Sequence, residues 1–147
     1  MTTFEQLRDQ TIDRFLETVP PVWNFIRSHI RATATSKFDI TVEQFHVLRY
    51  VRRGVTSMSD LAVAKNISRP AISQAVDVLV KKGLLTRVHS TQDRRVVDLA
   101  LTDEGSALLE TVFKENREWM KERMSNLTAS ELELILNATD VMRKIME

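Results

Sequence analysis

The chain has 147 residues, of which 43% are hydrophobic and 28% charged, a composition that fits one domain with a sizeable core and excludes a disordered protein. It has no cysteine, which excludes thiol redox sensing, cysteine nucleophiles, disulfides and Cys-ligated zinc. No apolar run approaches the roughly 20 residues of a membrane helix, and the first residues do not resemble a signal peptide. We therefore expect a soluble, cytoplasmic protein without a membrane partner.

The net charge of +1 conceals an uneven distribution along the chain. Residues 49–95 contain ten basic and three acidic side chains, whereas residues 1–48 contain five and six, and residues 96–147 contain six and eleven. A basic centre between acidic flanks indicates a surface that binds a polyanion such as DNA. The alternative is an ordinary charged face in contact with solvent.

Helical periodicity begins at the N-terminus and is predicted to break once. A first helix runs from about Thr3 to Thr18, and a second from about Pro21 to Thr35. Pro20 and Pro21 should separate them, because proline lacks an amide donor and clashes with the preceding turn. Thr41 and Gln44 then form a capping box, and the helix that follows ends at Gly54 with Phe45, Leu48 and Val51 on its apolar side.

The segment from Ser57 to Gly83 has the form of a helix-turn-helix. Its first helix ends near Asn66, with Leu61, Ala62 and Val63 predicted to face inward. Its second helix is capped by Ser68, reaches Lys82 and buries Ile72, Val76, Leu79 and Val80. A helix that enters a major groove needs small and polar residues outward at its start, and the candidates are Ser68, Arg69, Pro70, Ser73 and Gln74. Arg69 can reach guanine or a phosphate, and Gln74 can pair with adenine; an ordinary surface helix of a bundle is the alternative.

After Gly83 the periodicity changes to that of strands. Residues 84–89 and 96–101 are short β-branched runs separated by a polar stretch, which predicts a β-hairpin. At its tip Arg94 and Arg95 suit a minor groove, and Asp93 is expected to hold the loop by pairing with a neighbouring arginine. His89 is expected to add a phosphate contact. The alternative is a solvated turn.

Two more helices complete the prediction. A long amphipathic helix extends from Thr102 to Asn126, and a second capping box at Thr128 and Glu131 begins the last one. The apolar residues of this last helix are Leu132, Ile135, Leu136, Met142 and Ile145. The predicted fold class is mainly α with a small β-hairpin wing.

The run from Ser68 to Leu85, the Asp93-Arg94-Arg95 tip and the run from Leu99 to Gly105 together resemble the MarR family of bacterial transcriptional regulators, over roughly residues 22–145. The resemblance implies a winged helix-turn-helix DNA-binding lobe over residues 41–102. It also implies a homodimer built by helices within residues 1–35 and 106–147, with the segment before Pro20-Pro21 as an addition to the usual pattern. The implied function is a sequence-specific regulator, a repressor, that binds a palindromic operator in double-stranded DNA.

Members of that family are often released from DNA by a small aromatic or anionic effector. The candidate residues for such a pocket are Trp23, Phe25, Phe45, Arg49 and Phe113, although aromatic residues at helical spacing usually belong to a core. His29, His46 and His89 have no metal-binding spacing and no catalytic motif occurs, so we expect no enzyme activity, no cofactor and no metal. The alternative function is a helical protein-interaction module that does not bind DNA, which the small polar face of the 68–82 helix disfavours.

Overall fold

The computed structural model describes residues 3–147, which form two compact units, residues 3–114 and 115–147. The described residues form six helices and one two-stranded antiparallel sheet, which confirms the predicted fold class. The elements in chain order are α1 (Phe4–Phe38), α2 (Val42–Arg52), α3 (Met58–Lys65), α4 (Arg69–Lys81), β1 (Leu85–His89), β2 (Val97–Leu101), α5 (Asp103–Arg123) and α6 (Ala129–Arg143).

The first helix corrects the prediction of a break at the two prolines. α1 continues through Pro20 and Pro21 as one helix that begins at a capping box between Thr3 and Gln6. Each proline removes one hydrogen bond to the carbonyl four residues earlier, here those of Leu16 and Glu17. Both of these residues are exposed, so water can donate to their carbonyls, and the prolines weaken the helix without ending it.

The apolar stripes of α2 and α4 form the core of the first unit. Phe45, Leu48 and Val51 of α2 are buried, as predicted, and so are Ile72, Val76 and Leu79 of α4, while Val80 is only partly buried. The prediction was wrong for Val63, which is 80% exposed. A helix turns about 100° per residue, so the face of α3 that contains Leu61 and Ala62 points Val63 away from the core.

The predicted hairpin is confirmed, with Leu85 opposite Leu101 at one end and His89 opposite Val97 at the other. A short segment before α3 is hydrogen-bonded to this hairpin, which the sequence did not indicate. The carbonyl of Thr56 accepts a hydrogen bond from the Leu99 amide at 2.9 Å, and its hydroxyl donates to Asp98 at 3.3 Å. This segment fixes the hairpin to the beginning of the helix-turn-helix.

Hydrogen bonds at the start of α5 connect the end of the hairpin to the segment that follows α4. The Thr102 hydroxyl donates to the Gly83 carbonyl at 2.6 Å and accepts from the Gly105 amide at 3.0 Å. A Cβ atom on Gly105 would lie 2.2 Å from the Leu84 carbonyl oxygen, which no side chain tolerates. Glycine is therefore required here by a close backbone approach, and the Leu-Thr-x-x-Gly motif is a structural joint.

The second unit contains the end of α5 and all of α6. The Thr128 capping box is confirmed, because its hydroxyl accepts from the Glu131 amide and the Glu131 carboxylate accepts from the Thr128 amide. No residue of α6 is buried, and Leu134, Leu136 and Ile145 are each more than 60% exposed. Within residues 3–147, no helix combines the length and the apolar character needed to span a membrane.

Candidate nucleic-acid interface

The start of α4 presents a polar surface to solvent. Ser68 is its N-cap and accepts a hydrogen bond from the Ala71 amide at 3.3 Å. Pro70 lies in the first turn, where its missing amide costs no helical hydrogen bond. Ser68, Arg69, Pro70 and Gln74 are exposed and Ser73 is partly buried, while the opposite side of the helix is fully buried in the core.

The loop between β1 and β2, residues 90–96, is held by hydrogen bonds within itself. The Ser90 hydroxyl accepts from the amides of Gln92 and Asp93 at 3.2 and 3.4 Å. The Asp93 carboxylate accepts from the backbone amide of Arg95 at 2.9 Å. The prediction that Asp93 pairs with an arginine side chain is therefore corrected: Asp93 orders the turn through the backbone and leaves both guanidinium groups available.

Three arginines of the lobe are exposed and lack an acidic partner. Arg69 lies at the start of α4, and Arg94 and Arg95 lie at the tip of the hairpin. Within residues 3–147, no carboxylate lies within ion-pair distance of these three side chains, whereas Arg27, Arg52 and Arg87 each have one. His89, the last residue of β1, is also exposed.

An ion pair between Asp77 and Arg87 joins α4 to β1, and the sequence analysis did not identify it. Asp77 lies on the same outward side of α4 as Gln74, where an unpaired carboxylate would repel a polyanion. Arg87 neutralises it and fixes the hairpin beside the helix. An acidic residue on a predicted DNA-facing side indicates that a cationic partner is needed, but the sequence does not show that Arg87 is this partner.

Three of the five predicted pocket residues lie together. The rings of Phe45 and Phe113 meet edge to face with their centroids 6.0 Å apart, and the guanidinium groups of Arg49 and Arg52 each lie 5.6 Å from the centre of Phe113. Burial, reinforced by nearby Arg53, lowers the pKa of Arg49. The buried Nε atom of Arg49 has no hydrogen-bond partner among the described residues.

The remaining two pocket candidates, Trp23 and Phe25, lie on the exposed surface of α1, where they are 44% and 50% exposed. The ring contacts of Phe45 and Phe113 do not include Trp23. Across residues 3–147, no group of three or more His, Asp or Glu side chains is arranged to hold a metal ion.

The known proteins to which this chain is similar include HTH-type transcriptional regulators. The MarR family model matches residues 38–96. The HTH-type transcriptional repressor MdtR of Bacillus subtilis is 33% identical over 112 residues, which cover 76% of this chain and 70% of MdtR. The uncharacterized HTH-type transcriptional regulator YhbI of the same organism is 26% identical over 148 residues, covering all of this chain and 90% of YhbI.

A solved structure supports the fold. Streptococcus pneumoniae FabT, crystallised in complex with DNA, superposes with a TM-score of 0.74 at 17% identity, covering 92% of this chain and 96% of FabT. The alignment with YhbI covers the whole chain, including the segment before Pro20-Pro21. The order of elements, the joint at Gly105 and the similarity to MdtR lead to one conclusion: the chain belongs to the MarR family and is a transcriptional regulator of the winged helix-turn-helix type.

Proposed function

We propose that this protein is a repressor that binds a palindromic operator as a homodimer, with α4 in the major groove and the hairpin in the flanking minor groove. The observation that carries the proposal is the exposed polar start of α4, together with three exposed arginines, Arg69, Arg94 and Arg95, that lack acidic partners. MdtR is a transcriptional repressor by name, and FabT was crystallised with DNA, which supports the same activity for this chain. A protein of this function acts in the cytoplasm, where bacterial DNA lies.

Each candidate residue is assigned a role by its position. Arg69 and Gln74 lie where a helix inserted by its N-terminal end meets base edges, so they read sequence. Ser68 and Ser73 are short donors suited to phosphates or bases, and Pro70 keeps the first turn compact. Arg95 is assigned to the minor groove, while Arg94 and His89 contact phosphates and Asp93 orders the loop.

Dimerisation is proposed because helices outside the 41–102 lobe expose large apolar side chains. Residues 1–35 include exposed Phe4, Leu7, Leu16 and Val22, and residues 106–147 include the apolar residues of α6. Exposed apolar surface on this scale marks an interaction site in a soluble chain. A two-fold dimer would read two half-sites about one helical turn, roughly 10 bp, apart.

The test is selection of bound duplexes from a randomised library, followed by salt titration of the best sequence. We expect an inverted repeat and a steep loss of affinity as salt rises. Arg69→Ala should cost about 1–3 kcal/mol and relax the preference at one position of each half-site. Arg95→Ala should reduce the salt slope and weaken binding most where the flanks are rich in A·T pairs.

Arg8→Ala is the charge-matched control, because Arg8 is an exposed arginine of α1 outside the lobe. It should leave both the selected sequence and the salt slope unchanged. A wild-type protein that selects no sequence and binds without salt dependence would favour the alternative, a protein-interaction module. An Arg95→Ala variant with wild-type affinity and slope would restrict the interface to α4.

We also propose an effector site at the Phe45–Arg49–Phe113 cluster, for a ligand with an aromatic ring and a negative charge. The exposed ring of Phe113 offers an apolar face that is backed by the buried ring of Phe45, and the unsatisfied Nε–H of partly buried Arg49 is a donor for a carboxylate. Benzoate is the probe and benzamide its uncharged counterpart. Benzoate should weaken operator binding, benzamide should not, and Arg49→Met should abolish the response while Arg53→Met preserves it; equal effects of both probes would contradict the site.

A further inference from the structure

A chain of charged contacts connects α1, α2 and α3. Glu43, in the first turn of α2, contacts Arg27 of α1 with an N–O distance of 3.0 Å and Lys65 of α3 with an N–O distance of 2.7 Å. The Lys65 ammonium also lies 3.1 Å from Nδ1 of His46. The Lys65 side chain is only 10% exposed, so its charge depends on these two partners rather than on water.

Both partners are in the protonation state that accepts a hydrogen bond from Lys65. The hydrogen bond from Lys65 lowers the pKa of Glu43, which keeps this carboxylate ionised. Burial, and then the charge of Lys65, lowers the pKa of His46 to about 4, so its ring is neutral at pH 7. Because an ammonium group only donates, Nδ1 of His46 accepts and the ring proton lies on Nε2.

The position of Lys65 gives these contacts a consequence for α4. Lys65 is the last residue of α3, and the turn after it leads through Asn66, at a φ of 52°, to the α4 N-cap Ser68. At the other end of α4, Lys82 donates to the carbonyl of Asp39, the C-cap of α1, at 2.7 Å. Lys65 therefore attaches the turn before α4 to α2, and Lys82 attaches the end of α4 to the end of α1.

We propose that Lys65 is a positioning residue for operator recognition: its contacts with Glu43 and His46 fix the direction of α4 relative to α1, and so the half-site spacing that a dimer accepts. Lys82 provides a second, weaker attachment, since its carboxylate partner on Asp39 is 96% exposed. The inference rests on the proposed dimeric binding to an inverted repeat. It excludes a phosphate contact by Lys65, whose ammonium is already engaged.

The experiment measures affinity for operators in which the spacing between half-sites is changed by one or two base pairs in either direction. Lys65→Met keeps the apolar stem and removes the charge, Lys65→Arg keeps the charge, and Glu43→Gln weakens the same contact from the other side. Lys121→Met is the matched control, because Lys121 forms an exposed ion pair with Glu118 at 3.3 Å. Circular dichroism and sedimentation establish that each variant is folded and dimeric.

We expect Lys65→Met to lower affinity for the preferred spacing about 10-fold and to lower affinity for the other spacings less, so that discrimination shrinks. The salt slope should remain that of the wild type, and Lys65→Arg should restore the preference. Glu43→Gln should have a similar effect, and the double variant should lose little more than either single one. Lys121→Met should change none of these quantities.

Three results would overturn the inference. An equal loss at every spacing would assign Lys65 a purely structural role, and a salt slope reduced by about one would assign it a phosphate contact. If Lys65→Met does not fold, unchanged discrimination in Glu43→Gln is decisive against the proposal. A wild-type protein without any spacing preference would instead contradict the proposed dimeric operator binding, and the inference with it. Failure of the proposed function is therefore seen in the wild type, whereas failure of the Lys65 inference alone is seen only in the variants.

Discussion

The helices α4 and α6 are similar in length and both carry regularly spaced apolar residues, yet they differ completely in burial. Ile72, Val76 and Leu79 of α4 are fully buried, whereas Leu132, Ile135 and Leu136 of α6 are 42%, 40% and 64% exposed. The partner surface of α4 is supplied by the same chain, and that of α6 is not supplied within its own unit. An apolar stripe therefore shows that a helix needs a partner, without showing which molecule provides it.

The largest effect should follow from placing a charge on the exposed stripe of α6. If two copies of this helix meet in a dimer, Leu136→Asp buries a carboxylate in each copy, and we expect the dimer dissociation constant to rise at least about 100-fold, or about 2.7 kcal/mol. Sedimentation velocity over a range of protein concentrations measures this. A dimer dissociation constant equal to that of the wild type would show that α6 lies outside the dimer interface.

Glu133→Gln is the control for that experiment, because Glu133 is an exposed polar residue of the same helix. It should leave the dissociation constant unchanged. An equal effect of both substitutions would show that the charge of α6, rather than its apolar stripe, governs association.

The second-largest expected effect is a loss of folding stability in the DNA-binding lobe when Gly105 is replaced. Replacing glycine by alanine inside a helix usually stabilises a protein by about 1 kcal/mol. Here the new Cβ would meet the Leu84 carbonyl oxygen at 2.2 Å, so we expect Gly105→Ala to lower the free energy of unfolding by about 2–3 kcal/mol. Urea denaturation at one fixed protein concentration measures it, with Ser106→Ala, which adds no atom, as the control; a stabilised Gly105→Ala variant would contradict the close contact.

Local features were predictable from the sequence because their hydrogen bonds join residues two to four positions apart. The caps at Thr41, Ser68 and Thr128 formed as expected, since each hydroxyl finds an amide three residues later. The hairpin was predictable because its two strands follow each other in the chain, with paired residues 8 to 16 positions apart. The basic centre of the chain, residues 49–95, falls on the helix-turn-helix and the hairpin.

Features that depend on distant residues or on solvent were not predictable. The continuity of α1 through Pro20 depends on water reaching the carbonyls of exposed residues, which composition does not reveal. The pairing of Asp77 with Arg87 and the contact of Glu43 with Lys65 join different elements, so they appear only once the helices are packed. Fold class followed from periodicity, whereas the partners of individual charges did not.

The smallest effect concerns pH, and it again distinguishes the lobe from α6. Burial lowers the pKa of His46 to about 4 in the folded protein, whereas an unfolded histidine titrates near 6.5. The stability linked to neutral His46 is therefore complete above pH 6.5 and is lost as pH falls from 6.5 towards 4. The pKa of Glu131 is lowered by its hydrogen bond from the Thr128 amide, so the cap of α6 loses stability only as pH falls below 4.5.

Between pH 7 and pH 5 the folding stability of the lobe should therefore fall, while that of the α6 cap should not change. Because water screens the partly exposed ring of His46, we expect the wild type to lose about 1 kcal/mol more than His46→Gln over this interval. Glutamine is the appropriate replacement, since its side-chain oxygen can accept from Lys65 and does not titrate. Urea denaturation of both proteins at pH 7, 6 and 5 measures the difference, and Glu131→Gln should follow the wild type throughout. Parallel losses in the wild type and His46→Gln would show that His46 is protonated in the folded lobe, and would remove the neutral acceptor assigned to Lys65.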